Sequence, residues 1–138
     1  MAESAAHMGY VTMISNFLRE SVLPQEDHIH ILVDSPYSSE NPPYVINNFR
    51  PDIYFDHSGR LIIGEAKTDD DFNRPHSLEQ YRSYFLECEP RHEHALIVLS
   101  GSWRISAAYC NLIRNIKRQG DFHTRVIILN EMGARGAI

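Results

Sequence analysis

Two apolar segments separated by a four-residue polar turn lie near the middle of the chain and limit the folds open to it. Residues 52–55 read DIYF and residues 60–65 read RLIIGE, with DHSG between them. Strand-length apolar runs on either side of a turn that contains glycine predict a β-hairpin. In such a hairpin Asp52, at the start of the first strand, lies close to Glu65, at the end of the second.

Three helices are predicted by apolar residues at helical spacing. The first ends before Pro24, the second opens with a capping box from Ser77 to Gln80 and runs to about residue 89, and the third ends before Gly120. We expect Trp103 to anchor the third helix. The apolar stripes of the first and third helices are Val11, Ile14, Phe17, Leu18 and Val22, and Ile105, Tyr109, Leu112, Ile113 and Ile116.

Three further segments have strand patterns. Residues 28–33 alternate apolar and polar side chains, residues 95–99 form a continuous apolar run, and residues 125–129 predict a last strand. The predicted order is α-β-β-β-α-β-α-β, an α/β fold with a mixed sheet and helices on both faces. Residues 35–43 contain three prolines and predict a long loop, which could cover a substrate groove.

Length and composition predict one domain over residues 1–138. The net charge of −5 disfavours a broad nonspecific DNA binder, but it leaves a nuclease open because bound cations reverse the local sign. The chain has no long apolar run and begins without a signal-peptide pattern, so we expect a cytoplasmic protein without membrane contact. His7 followed by Met8 has the form of a cloning junction, which predicts vector-derived or flexible residues at 1–7, without functional weight.

Other reactive side chains have ordinary interpretations. Cys88 and Cys110 are expected to be free thiols. Four histidines, at positions 28, 30, 92 and 94, lack a partner cysteine pair at zinc spacing and are expected at or near the surface. The basic residues Arg104, Arg114, Lys117 and Arg118 form either a path for a phosphate backbone or a solvated helical face.

The hairpin also carries a pattern suited to metal-assisted phosphodiester hydrolysis. Such a reaction needs a cation, an activated water and a fixed geometry between them. Asp52 and Glu65 supply hard oxygen ligands, and the backbone carbonyl of Ala66 is a third candidate ligand for Mg²⁺, which Mn²⁺ can replace. Lys67 lies two residues after Glu65, so it points to the same face of the strand. It can orient water, help deprotonate it or stabilise the transition state.

The sequence Pro51-Asp52, twelve intervening residues and Glu65-Ala66-Lys67 resembles the signature of the PD-(D/E)XK nuclease superfamily. The resemblance implies a restriction-endonuclease-like core, with Asp52 and Glu65 as metal ligands and Lys67 as the catalytic lysine. Gln80 and Tyr84, four residues apart on one helical face, look like the glutamine and tyrosine of RecB-like members, and a VRR-NUC-like branch stays open.

Two acidic features near this signature have weaker assignments. Many members of the superfamily carry an acid on the first helix, for which Glu20 is the candidate, although an ideal helical wheel places it towards the polar side. The run Asp69, Asp70 and Asp71 reads as a solvated loop, one member of which could tune the site.

These patterns predict a metal-dependent DNA nuclease, with endonuclease action as the default and RNA left open. Because the chain has no room for a separate recognition domain, specificity would come from loops, a homodimer or a partner protein. One alternative is a structure-selective nuclease of the Holliday-junction type, which would act as a two-fold dimer. The other is a nucleic-acid-binding or interaction module that keeps the fold without cutting.

Overall fold

A computed structural model describes residues 4–34, 42–133 and 135–138, and these form a mixed α/β structure around one six-stranded sheet. The predicted α/β class and mixed sheet are confirmed. In chain order the main elements are α1 (Ala5–Phe17), β1 (Leu32–Val33), β2 (Ile53–His57), β3 (Arg60–Ala66), α2 (Pro75–Cys88), β4 (Ala95–Ser100), α3 (Ser106–Gln119), β5 (Arg125–Leu129) and β6 (Arg135–Ala137).

The strands lie in the sheet in the order β1-β2-β3-β4-β5-β6. Strands β3, β4 and β5 are parallel, with α2 and α3 as the crossover helices, whereas the pairs at the two edges are antiparallel. The carboxyl ends of the three parallel strands therefore meet at one edge of the sheet. In open α/β sheets this edge is where ligands usually bind.

The predicted hairpin is formed by β2 and β3, but its turn is shorter than expected. Residues 56 and 57 belong to β2, and only Ser58 and Gly59 form the turn, with φ angles of 53° and 81°. Two central residues with positive φ are the backbone requirement of a type I′ turn, whose twist matches that of the strands. The register pairs Ile53 with Gly64 and so places position 52 beside position 65.

Helices cover both faces of the sheet, as predicted. Helix α1 packs on one face through Val11 and Ile14, and Leu18 directly after it joins them, against apolar side chains of β2 to β5. Gly64 allows the close approach, because a Cβ atom there would lie 3.1 Å from Ile14. Helices α2 and α3 pack on the opposite face, where Tyr81, Tyr84, Phe85, Tyr109, Ile113 and Ile116 are buried.

Three local predictions were wrong. Residues 28–33 form only the two-residue strand β1, because a 3-10 helix occupies Gln25–His30 immediately after Pro24. The second helix begins earlier than expected, with Arg74 as its N-cap and Pro75 as its first residue. Strand β6 had no counterpart in the predicted order. Of the predicted loop at 35–43, residues 35–41 lie outside the described part of the chain.

The cysteines and the four histidines have the surroundings expected of them. Cys88 and Cys110 are free, as predicted. The four histidines at 28, 30, 92 and 94 are exposed or half-buried, and His30 stacks on His57 with ring centroids 3.8 Å apart. Among the described residues, none of the helices has the length and apolar character needed to span a bilayer.

Candidate functional site

The β2–β3 hairpin and α2 bring five predicted site residues together at the edge where the parallel strands end. Asp52 directly precedes β2. Glu65 is the second-to-last residue of β3, and Lys67 directly follows that strand. Helix α2 covers the face to which Glu65 and Lys67 point, and it contributes Gln80 and Tyr84. The arrangement follows from strand alternation, because residues two apart share one face of a sheet.

Asp52 is held in place by contacts through both its backbone and its side chain. Its Oδ2 atom accepts a 2.9 Å hydrogen bond from the backbone amide of Ala66, and its carbonyl accepts a 2.8 Å bond from the amide of Asp34. The Nε2 atom of His7 lies 3.2 Å from the same Oδ2. The carboxylate therefore connects both strands of the hairpin to the first turn of α1.

His7 owes its position to the start of α1. Ser4 is the N-cap of this helix, and its hydroxyl oxygen accepts a 3.1 Å hydrogen bond from the amide of His7. This cap fixes the first helical turn beside Asp52. The positive end of the helix dipole favours a carboxylate at this place.

Glu65 contacts helix α2 and Lys67. Its Oε1 accepts a 2.8 Å hydrogen bond from the hydroxyl of Tyr84, and its Oε2 lies 3.9 Å from the Nζ atom of Lys67. Burial and the nearby Glu65 raise the pKa of Tyr84, so the phenol remains protonated and able to donate. The structure therefore joins Tyr84 to the predicted metal ligand as well as to the core.

The ammonium group of Lys67 lies among three acceptors. It donates a short hydrogen bond to Oε1 of Gln80, and its Nζ lies 3.6 Å from Oδ2 of Asp71 in addition to its contact with Glu65. The backbone amide of Lys67 continues the sheet by donating to the carbonyl of Ser100 over 3.0 Å. Lys67 is thus fixed at both its backbone and its charged end.

The three central side chains are almost closed off from solvent. Asp52, Glu65 and Lys67 are 4%, 5% and 3% exposed. Burial, followed by repulsion from the Asp52 carboxylate, raises the pKa of Glu65 well above its ordinary value, while Lys67 opposes the shift. Two buried carboxylates with one nearby ammonium group form a site in which an additional positive charge would be strongly favoured.

The donor set fits a divalent cation. One ligand atom from each of His7, Asp52 and Glu65 lies within 4.8 Å of the other two. Among the described residues, no other set of three or more His, Cys, Asp or Glu side chains is close enough to hold a metal ion together. Carboxylate oxygens suit Mg²⁺ and Mn²⁺, and imidazole is a ligand that transition metals accept. The carbonyl of Ala66 as a further ligand stays a prediction; what the structure assigns to Ala66 is the amide that orients Asp52.

The structure gives the positions of two residues outside the signature, His7 and Glu20. His7 was expected to carry no functional weight, yet it lies in α1 and contacts Asp52. Glu20 was the candidate acid of the first helix, but it is exposed and follows α1 in a π-helical turn, thirteen positions after His7. At a rise of about 1.5 Å per residue, this separation puts Glu20 roughly 20 Å along the helix from His7.

Gln80 and one of the three aspartates, Asp71, contact Lys67. Gln80 does not belong to a capping box, because the hydroxyl of Ser77 donates to the carbonyl of Asp71 and the helix begins at Pro75. Its side chain binds Lys67 instead. Asp71 reaches the same lysine, while Asp69 and Asp70 line a neighbouring cleft.

The basic residues do not gather at this site. Arg114 and Arg118 bond to asparagines on their own exposed helical face of α3. A cleft of about 870 Å³ opens at the opposite edge of the sheet, where residues 58–60 and 92–96 meet Arg125. Of these four basic residues, Arg104 lines a cleft beside the candidate site, together with Trp103.

Comparison of the chain with protein-family models, with curated proteins and with solved structures finds no significant match. What can be inferred about function therefore depends on the geometry of the site and on the chemistry of its residues.

Proposed function

We propose that this protein is a metal-dependent nuclease of the PD-(D/E)XK type, which hydrolyses phosphodiester bonds in DNA. The observation that carries the proposal is the convergence of Asp52, Glu65 and Lys67 at one edge of the sheet. Tyr84 is hydrogen-bonded to Glu65, and Gln80 to Lys67. These residues come from three segments of the chain, and two carboxylates beside one lysine are the groups that the reaction requires.

The fold supports the same proposal. An antiparallel hairpin leads into parallel strands, with site residues at the end of β3 and helices on both faces of the sheet. We propose that this arrangement is a variant of the restriction-endonuclease-like core, to which β6 adds an antiparallel edge strand.

Each side chain has a task in this proposal. Asp52, Glu65 and His7 would hold a divalent cation, which would supply positive charge to neutralise the phosphate and to activate water. The backbone amide of Ala66 and the hydroxyl of Tyr84 keep the two carboxylates oriented. Lys67 directs its ammonium group to the reacting water or to the charge that develops on the phosphate, and Gln80 holds that group in position.

A noncatalytic module on the same fold is the second candidate. Two features support this candidate: the three central side chains are buried, and Lys67 already makes ion pairs. A network of charged side chains that only stabilises the fold would show the same features. The net charge of −5 also favours partners other than nucleic acid. The two candidates differ in one measurable property, which is cleavage.

The test is cleavage of circular, linear, single-stranded and branched DNA, and of RNA, in Mg²⁺ or Mn²⁺. The parent is compared with Glu65→Ala, Lys67→Met and Lys117→Met, the last of which changes the only other lysine of the chain. We expect cleavage by the parent and by Lys117→Met. Glu65→Ala should lose both cleavage and the metal-induced rise in melting temperature, whereas Lys67→Met should lose cleavage and keep that rise.

Two results would contradict the proposal. Undiminished cutting by Lys67→Met removes Lys67 from the mechanism. Absence of cutting on every substrate, with a metal-induced thermal shift that Glu65→Ala abolishes, favours the noncatalytic module. Preferential cutting of branched DNA by a two-fold dimer would identify the structure-selective, junction-resolving form of the activity.

A further inference from the structure

A cleft of about 510 Å³ lies directly beside the candidate site, within the size range of small-ligand sites. Its walls come from four segments that follow or flank the strand ends, namely α1, the loop after β3, the loop after β4 and the segment after β5. The aromatic and charged residues of its lining are Tyr10, Asp69, Asp70, Trp103, Arg104 and Glu131.

Chain connections place this cleft next to the catalytic groups. Ala6 and Thr68 line it, and they are the immediate neighbours of His7 and Lys67. Gly101 brings the two loops together, since a Cβ atom at this position would lie 3.2 Å from the carbonyl oxygen of Lys67. The cleft and the candidate metal site therefore share a wall.

Trp103 does not anchor α3, contrary to expectation. Its side chain is 56% exposed, and it is the only tryptophan of the chain. The guanidinium carbon of Arg104 lies 5.9 Å from the centroid of the indole ring, at the outer limit of a cation–π contact. Such a large aromatic surface on the wall of a cleft, instead of in the core, is a suitable stacking platform.

The backbone that carries Trp103 is held firmly. Its amide donates a short hydrogen bond to Oε1 of Glu131, and the amide of Arg104 bonds to the hydroxyl of Ser102 over 3.1 Å. The other carboxylate oxygen of Glu131 accepts a 2.8 Å hydrogen bond from the hydroxyl of Tyr10 on α1. The indole ring is thus presented by a preorganised turn, which lowers the entropy lost on binding.

The charges in the cleft indicate which part of a nucleotide it accepts. Asp69, Asp70 and Glu131 would repel a phosphate, whereas carboxylates accept hydrogen bonds from the amino groups of bases. Arg104 is the basic residue of this lining and can meet the phosphate attached to a stacked base. These features favour a base within the cleft and a backbone along its rim.

We propose that the cleft at Trp103 binds one unpaired nucleobase of the polynucleotide substrate, stacked on the indole ring. The proposal deepens the nuclease assignment and rests on it for the identity of the ligand. A base within a duplex has both faces covered by its neighbours, so the site selects single-stranded, frayed or flipped nucleotides. Because the cleft adjoins the metal site, the bound base would lie near the bond to be cut.

The experiment measures binding without cleavage, in the presence of a chelator. Single-stranded DNA and RNA oligonucleotides with a fluorescent label are titrated with protein, and the tryptophan emission of the parent is followed in parallel. The variants are Trp103→Ala, Trp103→Phe and Tyr44→Ala, the last being a matched control because Tyr44 is also an exposed aromatic residue but does not line this cleft.

We expect saturable quenching of Trp103 by single strands and much weaker quenching by a blunt duplex of the same sequence. Trp103→Ala should weaken binding about 5- to 150-fold, as loss of one stacked base does. Trp103→Phe and Tyr44→Ala should remain within a few-fold of the parent. Comparison of DNA with RNA identifies the preferred strand.

The subsite is overturned if neither DNA nor RNA binds, if tryptophan emission stays constant at saturation, or if Trp103→Ala binds as the parent does. An equal loss in Tyr44→Ala also overturns it. Failure of the nuclease proposal gives a different result, because quenching at Trp103 would persist in a protein that cuts no substrate. Conversely, a protein that cuts DNA with the same KM after Trp103→Ala is a nuclease without this subsite.

Discussion

The hydroxyl of Tyr84 donates a 2.8 Å hydrogen bond to Oε1 of Glu65, which joins helix α2 to the end of β3 inside the protein. Both residues are buried, and the bond lowers the pKa of Glu65 against the stronger effect of burial, which raises it. The contact therefore couples the packing of α2 to the charge state of a candidate metal ligand.

The change Tyr84→Phe removes this bond and keeps the ring. We expect a loss of about 1–3 kcal/mol in the free energy of unfolding, because a buried acceptor loses its donor. The pKa of Glu65 should rise further, so that metal binding moves to higher pH. Urea denaturation and metal titrations at several pH values measure the two effects.

Tyr81→Phe is the matched control for that experiment. Tyr81 is also buried on α2, but its hydroxyl donates to the backbone carbonyl of Phe72 over 2.7 Å and not to Glu65. This variant should lose stability without a change in the pH dependence of metal binding. Equal shifts of the metal-binding curve in both variants would show that the bond to Glu65 has no special role.

The raised pKa of Glu65 also predicts how stability varies with pH in a chelator. The pKa in the folded protein lies above the ordinary value of 4.5, so between these two values the folded state holds a proton that the unfolded state has released. The free energy of unfolding should therefore fall as the pH rises from about 4.5 towards the folded-state pKa. The fall is at most about 1.4 kcal/mol per pH unit.

Chemical denaturation of the parent and of Glu65→Gln across this pH range tests the expectation. The glutamine cannot titrate, so the Glu65 contribution to the slope should vanish, and excess Mn²⁺ should remove it in the parent as well. Glu79→Gln, an exposed position on α2, should keep the parental slope. A parental slope in Glu65→Gln would mean that another group is responsible.

Much of the site could be predicted because its determinants are local. The turn at Ser58 and Gly59 sets the hairpin register, and that register alone places position 52 beside Glu65. Strand alternation then puts Lys67 on the same face. By contrast, the contact of His7 with Asp52 depends on how α1 lies against the sheet, and no local pattern contains that information.

The wrong local predictions had competing physical causes. The alternation at 28–33 suggested a strand, but a 3-10 helix follows Pro24 and carries Glu26 and Asp27 in its first turn, where acids are favoured. Ser77 matched a capping box, yet Pro75 suits the first helical position and the serine hydroxyl bonds to Asp71. Tertiary contacts and a nearby proline outweighed the simple patterns in these cases.

Gln80 is expected to position Lys67 and not to bind the cation. The change Gln80→Ala removes the acceptor of the lysine ammonium group, and a displaced catalytic group costs on the order of 100-fold in rate. We expect kcat to fall by about 10- to 100-fold while the Kd for Mn²⁺ stays unchanged. Glu79→Ala, at the preceding position of the helix, should retain the parental kcat, and an equal loss there would point to damage of α2.

Substitution of His7 tests whether an imidazole ligand holds the cation together with the two carboxylates. With His7 as a third ligand, Mn²⁺ should bind more tightly than Mg²⁺, because Mg²⁺ prefers oxygen ligands. The change His7→Ala should weaken Mn²⁺ binding by about tenfold or more and reduce the preference for Mn²⁺ over Mg²⁺. Calorimetric titration with each cation measures both quantities.

Two further proteins complete that experiment. Asp52→Asn should lose binding of both cations, since this carboxylate lies beside His7 and Glu65 in the proposed site. A protein that begins at Met8 tests whether residues 1–7 contribute at all, and it should behave as His7→Ala does. If its affinities for Mn²⁺ and Mg²⁺ equal those of the full chain, the cation is held without His7, and Asp52 and Glu65 remain as the protein side chains at its centre.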